Sequence, residues 1–158
     1  MFPDPSPDPY GEFIGKAKRY LEMEKLYGDM FKRGLKATTT TYNTLINASV
    51  QAGRSRDARG YMEVMSQEGI IANTMTYNTL INAAAKEGGI EEAESWYNRM
   101  LREDVHPDSY TFSSLINACI GAKGEAKSGK KKGSKPDMDA AENWLKRMKD
   151  CGTPNNKV

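Results

Sequence analysis

A ten-residue string recurs three times in this 158-residue chain at a constant spacing. Residues 39–48 read TTTYNTLINA, residues 74–83 read TMTYNTLINA and residues 109–118 read SYTFSSLINA, so each step is 35 residues. Self-similarity at such a period marks an architecture of stacked repeats, because one unit cannot bury its own apolar face. The segment after each string repeats as well. Ala58, Tyr61, Met62 and Met65 match Ala93, Trp96, Tyr97 and Met100, and these match Ala141, Trp144, Leu145 and Met148 after a step of 48 residues that implies about 13 inserted ones. The offsets are i, i+3, i+4 and i+7, which place the four residues on one helical face. Met23, Leu26, Tyr27 and Met30 show the same stripe 35 residues before Ala58, without a matching first half, so a truncated fourth unit is expected.

The strings themselves read as shorter helices, with Tyr42, Leu45, Ile46 and Ser49 inward in one and Tyr77, Leu80, Ile81 and Ala84 inward in the next. Gly53 and Gly88 end these first helices, and the second helices stop before Gly34, Gly69, Asp104 and Gly152. Of the links GLKAT, GIIAN, DVHPD and GTPNN, the last three carry Pro, Asn or Asp suited to turns and helix starts. The expected fold class is therefore all-α, a solenoid of antiparallel helix pairs. Its parts are a Pro-rich extension at 1–10, a degenerate repeat at 11–38, and repeats at 39–73, 74–108 and 109–156. The last repeat carries a Lys-rich insertion at about 123–135. Helix pairs are predicted over about 39–69, 74–104 and 109–152, with Trp96 and Trp144 largely buried.

Composition narrows the function classes. A hydrophobic fraction of 38% with nine methionines and eight tyrosines suits a thin core of soft and amphipathic side chains. No run of about 18 apolar residues is present, so no membrane-spanning segment is expected. The start MFPDPSPDPYGEF shows neither a secretory signal nor a transit peptide, so one was removed or none was needed. Cys119 and Cys151 lack metal-ligand spacing and read as reduced thiols, and His106 is the single histidine, placed in a turn beside Pro107. With no Gly-rich phosphate loop and no nucleophile beside a base, no enzyme, metal or cofactor is expected. Glu91, Glu92 and Glu94 form a solvated helix face.

TYNTLINA, a glycine, EAESWYNRM and VHPD together resemble the pentatricopeptide-repeat family over residues 39–156. The resemblance implies a right-handed α-α superhelix, a home in mitochondrion or chloroplast, and binding of single-stranded RNA. In this family each repeat reads one base through a polar residue early in the first helix and the last residue of the repeat. Carried over, the base-reading pairs are Asn43 with Asn73, Asn78 with Asp108 and Ser113 with Asn156, which by the family's code suggest pyrimidine, uracil and adenine. Thr40, Met75 and Tyr110 would flank the bases, and only Tyr110 offers an aromatic face. The same asparagines have a structural reading: Asn caps helix starts well, and Asn47, Asn82 and Asn117 can simply cover a polar surface.

Charge and length qualify the RNA reading. Residues 121–136 hold six lysines (Lys123, Lys127, Lys130, Lys131, Lys132, Lys135) against Glu125, a local +5 in a chain of net +2. The remainder is about −3, a poor guide for a phosphate chain. Lys86, where the equivalent positions hold Gln51 and Gly121, and Lys130, Lys131 and Lys132 are the expected phosphate contacts. The Lys-rich segment also reads as a solvated insertion, or as a contact for an acidic protein or anionic surface. Only Lys157 and Val158 come after Asn156, so something else is expected to cover the final groove. The expected function is an organellar RNA-binding adaptor in RNA processing, stability or translation. The alternative is an accessory scaffold subunit of a ribosome or a photosynthetic or respiratory complex, bound through protein contacts.

Overall fold

A computed structural model describes residues 9–87, 89–120 and 137–152, with side chains from Lys18 onward. The expectations for residues 1–8, Gly88, the Lys-rich segment including Lys130, Lys131 and Lys132, and Asn156 lie outside the described residues. The elements are α1 (Pro9–Lys32), α2 (Thr39–Gln51), α3 (Ser55–Gln67), α4 (Thr74–Lys86), α5 (Ile90–Arg102), α6 (Ser109–Ile120) and α7 (Met138–Gly152). Among the described residues every element is helical, so the fold class is the expected all-α helical repeat. The chain forms two compact units, Met1–Ala72 and Asn73–Val158.

The starts of the first helices obey a rule that the repeat period enforces, whereas α3 and α5 start without a side-chain cap. Thr38 caps α2 and Asn73 caps α4, each in a reciprocal capping box with the threonine three residues on. Asp108 makes the same pattern at α6: its carboxylate accepts from the Thr111 amide at 3.0 Å and its own amide donates to the Thr111 hydroxyl at 3.0 Å. Residues 38, 73 and 108 are 35 apart, so the position that ends one repeat starts the next helix. Asp137 does the same for α7, accepting from the Ala140 amide at 2.9 Å.

Helix ends obey a second rule. Gly34, Gly53 and Gly69 adopt φ near +70°, and in each the residue after the glycine donates back to a carbonyl five residues earlier, closing a Schellman turn. Asp104 occupies the equivalent place at φ 57° with the same bonds, Asp104 N to Leu101 O and Val105 N to Met100 O. A Cβ in this region is strained, which sets Asp104 apart from its glycine counterparts. Helix α7 runs through Gly152 rather than stopping before it.

Each unit has its own core. In the first, Tyr20, Tyr42, Leu45, Ile46, Ala58, Met62 and Met65 are buried, and Tyr27 meets Phe31, Tyr42 and Tyr61 edge-on with ring centroids 5.0 to 5.9 Å apart. The tyrosine hydroxyls are paired inside this cluster. Tyr42 donates to Glu68 Oε2 at 2.7 Å, so the 2.8 Å contact with Tyr27 uses the Tyr27 proton. Tyr20 donates to Glu24 Oε1 at 2.6 Å, and Tyr61 donates to the same oxygen at 3.1 Å. In the second unit the stripe Ala93, Trp96, Tyr97 and Met100 is buried, and Tyr97 packs against Trp144 at 4.8 Å and Phe112 at 5.9 Å. Trp96 and Trp144 are 9% and 6% exposed, as expected from their stripe.

Leu26 and Leu145 depart from their predicted stripes. Leu26 is 68% exposed, and the inward residue that periodicity missed is Tyr20. The inward face of α1 thus runs from buried Tyr20 through half-buried Met23, Tyr27 and Met30, a narrower seam of offsets three and four. The reason is that α1 has the character of a second helix without a described first helix of its own to cover the Leu26 side. Leu145 is 40% exposed, whereas Tyr97 at the same repeat position is buried by Trp144 of the following second helix. No described helix comes after α7 to do the same.

Candidate nucleic-acid interface

The sequence-predicted reading positions occupy unlike environments. Asn78 lies in the second turn of α4 and is 8% exposed. Its Nδ2 donates to Asp108 Oδ1 at 3.0 Å, so this pair, 30 residues apart in sequence, is brought together within one unit. Asn78 Oδ1 accepts from the Thr111 hydroxyl at 2.6 Å. That third residue is fully buried and was not among the sequence candidates. Its only sequence signal was recurrence of threonine at 41, 76 and 111, which reads as capping chemistry.

Asp108 is the hub of this network. Burial pushes its carboxyl up, but the Thr111 amide, the Asn78 amide group and the Thr111 hydroxyl all favour the charged form and bring it below its ordinary value of 3.8. Thr111 N and Asn78 Nδ2 each donate to Oδ1 at 3.0 Å; Thr111 Oγ1 also lies 3.0 Å from it, but its one proton has the nearer acceptor in Asn78 Oδ1 at 2.6 Å. Asp108 as a whole remains exposed, so an ionised acceptor faces solvent beside a nearly buried amide.

The other positions differ. Ser113, one repeat on from Asn78, is exposed and turns its hydroxyl back to Ser109 O at 2.8 Å. Asn73 is exposed and its carbonyl oxygen is used as a cap, accepting from Thr76 N at 3.1 Å and Thr76 Oγ1 at 3.0 Å. Asn43 is half-buried in α2. Of the flanking candidates, Thr40 is exposed, and Met75 and Tyr110 are 64% and 54% exposed although both are large and apolar or aromatic. Lys86 is exposed in the last turn of α4. Asn47 and Asn117 are exposed and Asn82 is half-buried.

The first helices α2 and α4 are each tied to the link that ends their own repeat. Thr39 Oγ1 donates to Ile71 O at 3.0 Å, and Thr74 Oγ1 donates to His106 O at 3.0 Å, the same bond 35 residues apart. In the second unit this holds the 106–108 segment against the start of α4, which is how Asp108 comes within reach of Asn78. Among the described residues no group of His, Cys, Asp or Glu side chains is arranged to hold a metal, and no helix is long and apolar enough to cross a membrane. A groove of about 200 Å³ lined by Glu94, Asn98, Asn143, Trp144 and Arg147 brings no nucleophile and base together.

The sequence model of the PPR repeat family matches residues 37–85 and 72–121. No curated protein matches the chain at a significant level. Among solved structures, the crystal structure of the pentatricopeptide repeat protein PPR10 from maize is similar over 90% of this chain and 18% of that one, with TM-score 0.67 and 26% identity. PPR10 in complex with an 18-nt psaJ RNA element is similar over 98% of this chain and 21% of that one, with TM-score 0.67 and 19% identity. The chain thus spans about a fifth of the length of PPR10. With more than half of its residues matched by the repeat model and the helix-pair fold in place, the chain belongs to the PPR repeat family.

Proposed function

We propose that this chain is a single-stranded RNA-binding adaptor module of an organelle, mitochondrion or chloroplast, serving RNA processing, stability or translation. The observation that carries the reading is the Asn78–Asp108 pair, joined at 3.0 Å with an exposed carboxylate at its outer side. Asn78 and Asp108 read one base, which by the family's code is uracil. Asn43 with Asn73 and Ser113 with Asn156 hold the same repeat positions by sequence and serve the neighbouring bases. Met75 and Tyr110, exposed beside this position in sequence, supply apolar and aromatic faces for stacking, and Thr40 does so less well. Lys86, Lys130, Lys131 and Lys132 contact phosphates. The reading is supported by the family membership and by the fold shared with PPR10, which has been crystallised with an RNA element.

Affinity from this module alone is weak. Three bases at about 1–2 kcal/mol each give a dissociation constant between roughly millimolar and tens of micromolar. The test is binding of short single strands carrying pyrimidine-U-A against permuted sequences, at moderate salt and high protein concentration. Preference for the unpermuted strand is expected. Equal binding to all strands would overturn base reading and favour contact with protein subunits of a larger assembly.

A further inference from the structure

Base reading by Asn78 leaves open what the side chain presents, because an amide can turn either its oxygen or its nitrogen outward. The hydrogen bonds decide this. An ionised carboxylate only accepts, so the Asn78 atom 3.0 Å from Asp108 Oδ1 is the NH2 group. The flipped amide would set two acceptors against each other. At the other end, the Thr111 hydroxyl already accepts the Asp108 amide at 3.0 Å, and its own proton points to Asn78 Oδ1 at 2.6 Å. Thr111 is 0% exposed, so water does not substitute for it. Asn78 therefore has its oxygen capped and one of its two N–H groups used, which leaves a single N–H to offer. The Asp108 carboxylate takes Asn78 Nδ2 and Thr111 N on Oδ1 and is further supported by the Tyr110 amide, and as part of an exposed residue it keeps acceptor capacity beside that N–H.

We propose that Thr111, a residue of the following repeat, is the positioning residue that holds the Asn78 amide with its N–H outward, and that it thereby makes the Asn78–Asp108 position favour uracil over cytosine. The inference rests on the base-reading function proposed above. A donor beside an anionic acceptor matches the carbonyl oxygen and N3–H of uracil. Cytosine presents an unprotonated N3 and an exocyclic amine instead, so N3 would face the carboxylate and the amine would face the Asn78 N–H. With the hydroxyl of Thr111 removed, the amide is held from one side only. Its oxygen becomes available to the cytosine amine, and discrimination falls.

The experiment uses the full chain and two short strands that differ only in U or C at the middle base, read by fluorescence anisotropy. The wild-type protein is expected to favour U by about tenfold, the scale of a hydrogen bond to a charged group. Thr111→Val keeps the shape and removes the hydroxyl, and its U:C ratio should fall to about threefold or less. Thr111→Ser keeps the hydroxyl and should retain the wild-type ratio. A role confined to helix capping would weaken both strands equally and leave the ratio unchanged, and that result would overturn the proposal while base reading stands. Loss of the ratio in Thr111→Ser as complete as in Thr111→Val would also overturn it, by assigning the effect to packing. No U:C preference in the wild-type protein would instead overturn base reading itself. If Thr111→Val does not fold, exchange of the Asn78 side-chain amide protons in the wild-type protein serves as the test. Slow exchange relative to exposed Asn47 is expected, and exchange as fast as that of Asn47 overturns the locked amide.

Discussion

Replacing Asp108 by Ala removes two things at once, and their sizes can be separated. The first is the cap of α6, where Asp108 accepts from the Thr111 amide; loss of such a cap costs about 1 kcal/mol. The second is the partner of Asn78, a side chain only 8% exposed. Leaving its NH2 group without an acceptor costs about 1–3 kcal/mol more. Asp108→Ala should therefore destabilise the second unit by about 2–4 kcal/mol in urea unfolding followed by circular dichroism. Asp108→Asn keeps a capping oxygen and should cost clearly less than the alanine variant. It should also change the pH profile. The folded carboxyl titrates below its ordinary 3.8, so its contribution is fully present above that value and is lost as pH falls through the lower folded value. Stability of the wild-type protein should thus fall with pH below about 4 more steeply than that of Asp108→Asn. If Asp108→Ala costs no more than a simple cap, or if the two acid profiles coincide, the network around Asn78 is not holding the fold as described.

Trp96→Ala should cost about 3–5 kcal/mol, since the ring is 9% exposed on the buried stripe of α5; a loss under about 1 kcal/mol would contradict that burial. Gly69→Ala should cost about 1 kcal/mol because φ there is +69°, although nothing lies within 4 Å of the added carbon, and unchanged stability would refute the strain argument. Tyr42→Phe should cost about 1–2 kcal/mol by removing the bonds to Glu68 and Tyr27. Tyr77→Phe, at the same place in the next repeat, should be neutral or stabilising by up to about 1 kcal/mol, because its hydroxyl is buried without a hydrogen-bond partner among the described residues, and a clear loss of stability would refute this.

The helix pairs and the buried tryptophans were legible because they depend on period alone: apolar residues at i, i+3, i+4 and i+7, repeated every 35 positions. The caps at Asn73 and Asp108 were legible for a similar reason, since the links GIIAN and DVHPD end in residues suited to a helix start, whereas the cap at Thr38 was not singled out. The face of α1 was not. Periodicity cannot tell whether a neighbouring helix covers Leu26; among the described residues none does, and the seam runs through Tyr20. The pairing of Asn78 with Asp108 was suggested by resemblance, but the engagement of Thr111 was hidden. A buried threonine hydroxyl that serves a cap and an asparagine together is a matter of ångströms, and the bare string SYTFSS carries no mark of it at residue 111.

Near-identical strings also end in unlike chemistry because of residues outside them. Tyr42 and Tyr77 sit in the same TYNTLINA context, and each has a glutamate 26 residues later, Glu68 or Glu103. Glu68 accepts from Tyr42 at 2.7 Å. Glu103 is instead taken by Arg99 at 3.1 Å, an i, i+4 pair on α5. The position of Arg99 in the preceding repeat is Val64, which offers Glu68 no competing cation. Arg99 in place of Val64 thus accompanies the loss of the tyrosine–glutamate bond between one repeat and the next. Burial raises the ionisation of the Tyr77 phenol far above its usual range, with Glu103 adding to the rise and Arg99 opposing it, so the hydroxyl stays neutral and protonated. A neutral, buried hydroxyl with no hydrogen-bond partner among the described residues costs stability rather than adding to that of its ring. The next repeat carries Phe112 at this position, buried against Tyr97 and Trp144, and dispenses with the hydroxyl altogether.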